Sequence, residues 1–168
     1  MDIPKELREI RRHVEKRDYQ IALDMCDDIL SSDPFNDEAL REKSSALVGL
    51  GDLKKATQIL SDLSDRTNEP ADYFDLAGVH IRSSNYPGAI SSLDALMEVS
   101  EREEYDYYVS SALFLRAFAL IEIGEVGRAR SDVVRIPDGM RFWVPGRGLV
   151  DVESLRSRSD KRPSFKPS

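Results

Sequence analysis

Apolar residues recur along most of the chain at spacings of three, four and seven, which is the pattern of amphipathic helices. Four short segments repeat the same arrangement: a small or polar turn, an apolar residue, and an alanine three positions later. The alanines are separated by 34, 33 and 40 residues, and they are Ala22, Ala56, Ala89 and Ala129. This self-similarity predicts repeated helix–turn–helix units.

The repeated alanine fits close packing of helices. Alanine suits a position where two antiparallel helices cross closely, because a larger side chain would force them apart.

The predicted turns carry residues that end and start helices. Asp33-Pro34 ends one unit, and Pro87 falls in the first turn of a helix, where its missing N–H costs little. The additional residues before the fourth unit, 100–107, predict a longer loop or an extended helix start.

Charge and proline content change near residue 137. The 168-residue chain has a net charge of −7, but residues 138–168 hold seven basic and four acidic side chains, and four of the eight prolines lie in residues 137–168. We therefore expect repeats over 1–137, with units at about 3–36, 37–69, 70–109 and 110–137. An aromatic hairpin and short-helix cap (138–158) and a disordered basic tail (159–168) are expected to follow.

The period and the turn pattern Gly-Asp/Asn-Tyr/Leu-x-x-Ala resemble tetratricopeptide repeats over residues 3–137. The first unit departs from the family pattern at Glu6, Glu9 and Ile10, so a partial or capping unit is expected there. The resemblance implies an all-α fold: a right-handed α-α solenoid of about four helix-turn-helix repeats, closed by a C-terminal capping segment. It also implies a concave face lined by the first helix of each pair.

That face supplies the candidate partner-binding groove. The residues assigned to it are Arg11, Arg41, Phe74, Ile81, Arg82, Phe114, Phe118, Ile121 and Trp143. Phe114 and Phe118 lie one helical turn apart and either accept an apolar partner segment or are covered by another element of the chain. The arginines either hold partner carboxylates or form ion pairs within the chain. The lysine and asparagine clamp by which some tetratricopeptide domains grip chaperone peptides is missing.

The C-terminal segment is predicted to form a short hairpin or a tight loop, followed by a short helix. Residues 140–144 are β-prone, 145–148 favour a turn, and Asp151 is placed to cap a short helix. Trp143, next to Phe142, is expected to be buried against the last repeat, because leaving both exposed would be costly. The alternative is that Trp143, Phe142 and Arg141 line the mouth of the groove and contact the partner.

Residues that suggest chemistry have simpler interpretations. His13 and His80 occupy equivalent repeat positions too far apart to share a metal, and each is expected to be a partly buried, hydrogen-bonded histidine. Cys26 takes the inward position that leucine or valine fills in the other repeats, so it is expected to be a core thiol. No catalytic, metal or cofactor site is predicted.

Composition narrows the function classes. A pI near 4.9 argues against a nucleic-acid binder, and neither a signal peptide nor a membrane span is evident, so a cytoplasmic protein without a membrane partner is expected. The predicted function is non-catalytic binding of a protein or peptide. Two alternatives stay open: an immunity or antitoxin-like inhibitor of a basic partner, and an enzyme or nucleotide binder with its site in the concavity. Partner identity and oligomeric state are not predicted.

Overall fold

The computed structural model describes residues 3–160, which form nine helices and one two-stranded sheet. The elements divide into two compact units, Met1–Asn68 and Glu69–Ser168, here called the N-terminal and C-terminal units. No helix in the described part of the chain is long and apolar enough to cross a membrane.

The N-terminal unit contains two helical pairs: α1 (Ile3–Lys16), α2 (Tyr19–Ser32), α3 (Asp37–Leu50) and α4 (Leu53–Thr67). Helix α1 is a full helix of 14 residues despite its departures from the family pattern. Asn36 caps α3 by accepting a hydrogen bond from Ala39 N, and Gly51 ends it in the left-handed conformation at φ 85°. An added Cβ at Gly49 would overlap the ring of Tyr19, so glycine is required for the close approach of α2 to α3.

The core of this unit is small and aliphatic. The stripes of α1, α2 and α3 meet in it, and its members are Leu7, Ile10, Ala22, Cys26, Ile29, Ala39 and Ala46. The first two alanines aligned by the repeat, Ala22 and Ala56, are fully buried. Burial of these positions explains why the repeat keeps a small residue there.

The C-terminal unit contains α5 (Pro70–Arg82), α6 (Tyr86–Arg102), α7 (Val109–Glu122), α8 (Val126–Val133), β1 (Arg141–Val144), β2 (Gly148–Asp151) and α9 (Val152–Asp160). Helix α7 is central: it packs against α6, α8, α9 and β1, and eight of its 14 residues are buried. The extra residues before the fourth repeat lengthen α6 to Arg102 and form the loop before α7. They do not extend the start of α7.

The chain after α8 continues the packing of this unit. Asp151 Oδ1 accepts a hydrogen bond from Ser154 N at 2.7 Å, which caps α9 as the sequence predicts. The tail was expected to be disordered from residue 159, but α9 runs through Asp160, and Arg130 donates to the carbonyl of the buried Ser159 at 2.9 Å. The rest of the predicted disordered tail, 161–168, lies outside the described residues.

Candidate functional site

A β-hairpin is the main departure from helical repetition in the C-terminal unit. Strands β1 and β2 are antiparallel, and their register pairs Phe142 with Val150 and Trp143 with Leu149. Because neighbouring side chains of a strand point to opposite faces, one face carries Phe142, Val144 and Val150, and the other carries Arg141, Trp143, Leu149 and Asp151. The first face packs on the core, and all four residues of the second are exposed.

The inward face is anchored by aromatic and aliphatic packing. Val144 is fully buried in the core of the unit. The ring centroid of Phe142 lies 5.7 Å from that of Phe114 and 6.3 Å from that of Phe74, the latter in an edge-to-face arrangement. The hairpin therefore lies over the surfaces of α5 and α7 that the sequence assigned to the groove.

The turn of the hairpin is held against the end of α5. A Cβ added to Gly78 would lie 3.7 Å from Cγ of Pro145, and one added to Gly146 would lie 3.6 Å from Cα of Arg82. Arg147 Nη2 donates to the Tyr86 hydroxyl at 2.6 Å. These contacts fix the position of the strands, and therefore of the outward face.

The structure brings the predicted site residues of the C-terminal unit close together but exposes few of them. Phe114, Phe118 and Ile81 are buried, and Phe74 and Ile121 are half-buried against the same core. The ring of Phe118 contacts the ring of Tyr86 and the guanidinium group of Arg158. A partner could touch Phe114 only if the hairpin moved away.

The exposure of Trp143 contradicts the sequence prediction. The sequence predicts that Trp143 is buried with Phe142 against the last repeat, but Trp143 is 68% exposed. The cause is the alternation of the strand, which turns Phe142 toward the core and Trp143 away from it. Arg82 is also exposed.

The two predicted arginines of the N-terminal unit are engaged within the chain. Arg11 donates to Glu38 at 2.7 Å and to Glu42 at 2.6 Å, which ties α1 to α3. Arg41 is half-buried on α3 and also has an interaction partner. Ion pairing within the chain is one of the two roles predicted for these arginines, and Arg11 forms such ion pairs.

Most arginines of the C-terminal unit are paired with carboxylates, but the arginines near the hairpin are not. Six arginines have carboxylate partners there: Arg102, Arg116, Arg128, Arg130, Arg156 and Arg158. In the described part of the chain, the side chains of Arg82, Arg135 and Arg141 have no ion-pair or hydrogen-bond partner, and the side chain of Arg147 donates only to the Tyr86 hydroxyl. Sequence reasoning named Arg141 as a possible partner contact but missed Arg147 and Leu149. The alternation around Trp143 was the available signal for Leu149.

The other candidate residues have structural surroundings. His13 Nδ1 lies 3.2 Å from Asp18 Oδ2, and His80 Nδ1 lies 3.0 Å from Asn85 Nδ2. Cys26 is fully buried, and burial, with a contribution from Glu42 and Asp27, raises the pKa of its thiol to about 12. Residues 3–160 contain no group of three or more histidine, cysteine, aspartate or glutamate side chains placed to hold a metal ion.

The helical pairs define an all-α repeat protein, and comparison with solved structures specifies the type. A kinesin light chain of Podospora anserina with nearly identical TPR-like repeats superposes with a TM-score of 0.68 at 12% identity, covering 79% of this chain and 72% of that one. MamA of RS-1, as a double mutant, gives 0.67 at 18% identity, with 80% and 74% covered. TTC0263, a thermophilic TPR protein of Thermus thermophilus, gives 0.62 at 19%, with 79% and 71% covered.

The fold is therefore a helical-repeat solenoid of the tetratricopeptide type, as the sequence predicted. No protein-family model matches the chain. No curated protein matches its sequence.

Proposed function

We propose that the chain is a non-catalytic protein-interaction module that contacts its partner through the outward face of the hairpin. The observation that carries this proposal is the exposed pair of Trp143 and Leu149, which are 68% and 52% exposed and lie opposite each other in the register. An exposed tryptophan on a well-anchored strand is typical of a binding surface, because burying it on association is strongly favourable.

This proposal changes the groove suggested by the sequence. Of the residues assigned to that groove, Trp143 and Arg82 are exposed in the C-terminal unit, while Phe114, Phe118 and Ile81 are buried in its core. The partner surface is then the hairpin over α5 and α7, and Phe114 helps to position it through its contact with Phe142. No feature of the described residues specifically favours an inhibitor of a basic partner or an enzyme.

Affinity capture with a double variant tests the proposal. The full chain is immobilised as wild type and as Trp143→Ser/Leu149→Ser, and proteins retained from native extract are quantified by mass spectrometry. We expect the specific partner to fall at least about tenfold with the double variant, a loss typical of hot-spot residues. Val134→Ser is the matched control, because Val134 is 73% exposed but lies outside the hairpin.

Two results would contradict the proposal. Wild type could retain nothing beyond a blank surface, or the double variant could retain the same proteins as wild type. Far-UV circular dichroism of each variant checks that the helices are intact, which is expected because both substituted side chains are largely exposed.

A further inference from the structure

We infer that the outward face of the hairpin recognises an acidic peptide segment of a partner protein, with an apolar side chain of that segment packed on Trp143. The inference rests on the proposed function and adds the chemistry of the partner. The surface, here called the arginine–tryptophan face, consists of Arg141, Trp143, Leu149 and Asp151 on the strands, with Arg82 and Arg147 at the turn.

The apolar part of this face is continuous. Trp143 and Leu149 are directly opposite in an antiparallel pair, so their Cβ atoms are about 5 Å apart. Together they offer one aromatic and one aliphatic surface on a strand pair whose other side is anchored by Val144 and Phe142. An anchored surface loses little conformational freedom on binding, which favours association.

The arginines of this face indicate that the partner carries carboxylates. Arg141 lies two residues from Trp143 and therefore on the same side of the strand, and Arg82 lies against the turn at Gly146. Neither has an ion-pair partner among the described residues, although acidic residues outnumber basic ones in the chain and six of the other eight described arginines of this unit are paired. Arginines without an ion-pair partner beside an exposed tryptophan fit a partner that brings carboxylates and an apolar anchor.

Nearby carboxylates are committed to other contacts. Asp151 is opposite Arg141 in the register, but its Oδ1 caps α9 through Ser154 N. Glu122 accepts from Arg158 at 2.5 Å. The guanidinium groups of Arg82 and Arg141 form no hydrogen bond or ion pair within the described residues, so they are available to an incoming carboxylate.

Two other occupants share part of this chemistry. A second copy of the chain could bring its own acidic, tyrosine-containing loop before α7, where Tyr107 is 75% exposed. Single-stranded nucleic acid could stack on Trp143 and contact the arginines. We favour the acidic peptide because the net charge of −7 opposes a polyphosphate backbone that extends beyond this small face.

The test uses the full chain and a labelled peptide of about a dozen residues, with glutamate and aspartate around a Leu-x-x-Phe pair that supplies the apolar anchor. Trp143 is the sole tryptophan, so its emission reports docking directly, and peptide anisotropy gives the Kd. We expect a blue shift on binding and a Kd that weakens at least about fivefold between roughly 50 and 300 mM salt. The glutamine and asparagine version of the peptide should bind at least about tenfold more weakly.

Matched charge variants separate recognition from net charge. Arg82→Gln/Arg141→Gln breaks no hydrogen bond or ion pair within the described residues and is expected to weaken the acidic peptide at least about fivefold. Arg102→Gln/Arg128→Gln removes the same two charges from exposed, ion-paired positions and should change the Kd less than about twofold.

Several outcomes would overturn the inference. Equal binding of the acidic and neutral peptides would show that charge is not recognised. Tighter binding of an oligothymidylate of matched length would identify nucleic acid as the occupant. Self-association in sedimentation velocity that Trp143→Ser abolishes would identify a second copy. If no peptide binds but captured protein still depends on Trp143, the acidic chemistry is wrong and the interaction function stands.

Discussion

The two units are built from the same helical repeat, but they complete it differently. The N-terminal unit has a core of aliphatic residues, alanines and one cysteine, without an aromatic side chain among its described buried members. The C-terminal unit buries Phe114 and Phe118 and adds a hairpin and α9 to the same core. A non-repeating segment can therefore complete a helical repeat by packing on its helices, and it adds a new exposed surface.

The units also differ in how they use arginine. Arg11 of the N-terminal unit bridges two helices through two glutamates, and about half of its side chain is exposed. Arg116 also holds two carboxylates in the C-terminal unit, but it is largely buried: Nε and Nη2 donate to Asp132 at 2.8 and 2.7 Å, and Nη1 donates to Asp94 at 2.6 Å. Because the two arginines differ in burial, we expect the same kind of contact, an arginine between two carboxylates, to contribute differently to the stability of each unit.

Replacing the two buried phenylalanines should have the largest effect on this comparison. Phe114→Ser/Phe118→Ser removes two rings and buries two hydroxyl groups, and each change costs about 3–5 kcal/mol. Because total stability is about 5–15 kcal/mol, we expect the C-terminal unit to unfold. The measurement is the loss of the far-UV helical signal that the C-terminal unit contributes.

The N-terminal unit supplies the control for that double variant. Phe35→Ser removes a ring that is 74% exposed, and its effect should stay below about 0.5 kcal/mol. Cys26, in the separate N-terminal core, should remain protected from alkylation in the double variant. An intact helical signal with lost partner capture would instead mean that the phenylalanines form a groove the partner enters.

The second prediction compares the two bridging arginines. Arg116→Met leaves Asp132, whose side chain is 6% exposed, without its partner, so a loss of about 2–3 kcal/mol is expected. Arg11→Met removes an arginine whose side chain is 48% exposed and should cost less than about 1 kcal/mol. Urea denaturation of each variant gives the two free energies of unfolding.

A conservative replacement of Arg116 tests the same comparison further. Arg116→Lys keeps the charge but loses the two parallel hydrogen bonds to Asp132, so it should recover only part of the loss. Equal costs for Arg116→Met and Arg11→Met would mean that burial does not set the weight of these ion pairs.

The repeat could be predicted from the sequence because its signals are local. Ala22, Ala56, Ala89 and Ala129 recur at nearly constant spacing, and all four are fully buried. Caps such as Asn85, whose side chain accepts from Gly88 N, are also encoded within one helical turn. Helix formation needs only neighbouring residues, so periodicity and capping predict it well.

The candidate site was less predictable because it depends on contacts distant in sequence. Phe114 packs against Phe142, which lies beyond α8 in the chain, and the periodicity of α7 gives no information about what covers it. Trp143 was assigned to the core because burial of any tryptophan is favourable, but strand alternation allows only one of two neighbours to face inward. The same alternation, applied to residues 141–144, predicts that Arg141 and Trp143 are exposed on one face.

The third prediction concerns the equivalent histidines and has the smallest expected effect. Burial lowers the pKa of His80 below 6.5 in the fold. Asn85 Oδ1 accepts from Gly88 N, which turns its Nδ2 toward His80 Nδ1, so a protonated ring would meet a donor rather than an acceptor. His13, in contrast, lies beside the carboxylate of Asp18.

The sign of the pH effect follows from that lowered pKa. Below about pH 6.5 the unfolded chain binds a proton at His80 more readily than the folded chain does, so stability is full above that pH and falls as the pH drops through it. Thermal unfolding is followed by far-UV circular dichroism at one pH about a unit above this value and at one about a unit below. The decrease in stability between the two should be smaller for His80→Gln than for wild type. His13→Gln should leave the His80 contribution in place, and an identical decrease in wild type and His80→Gln would refute the assignment.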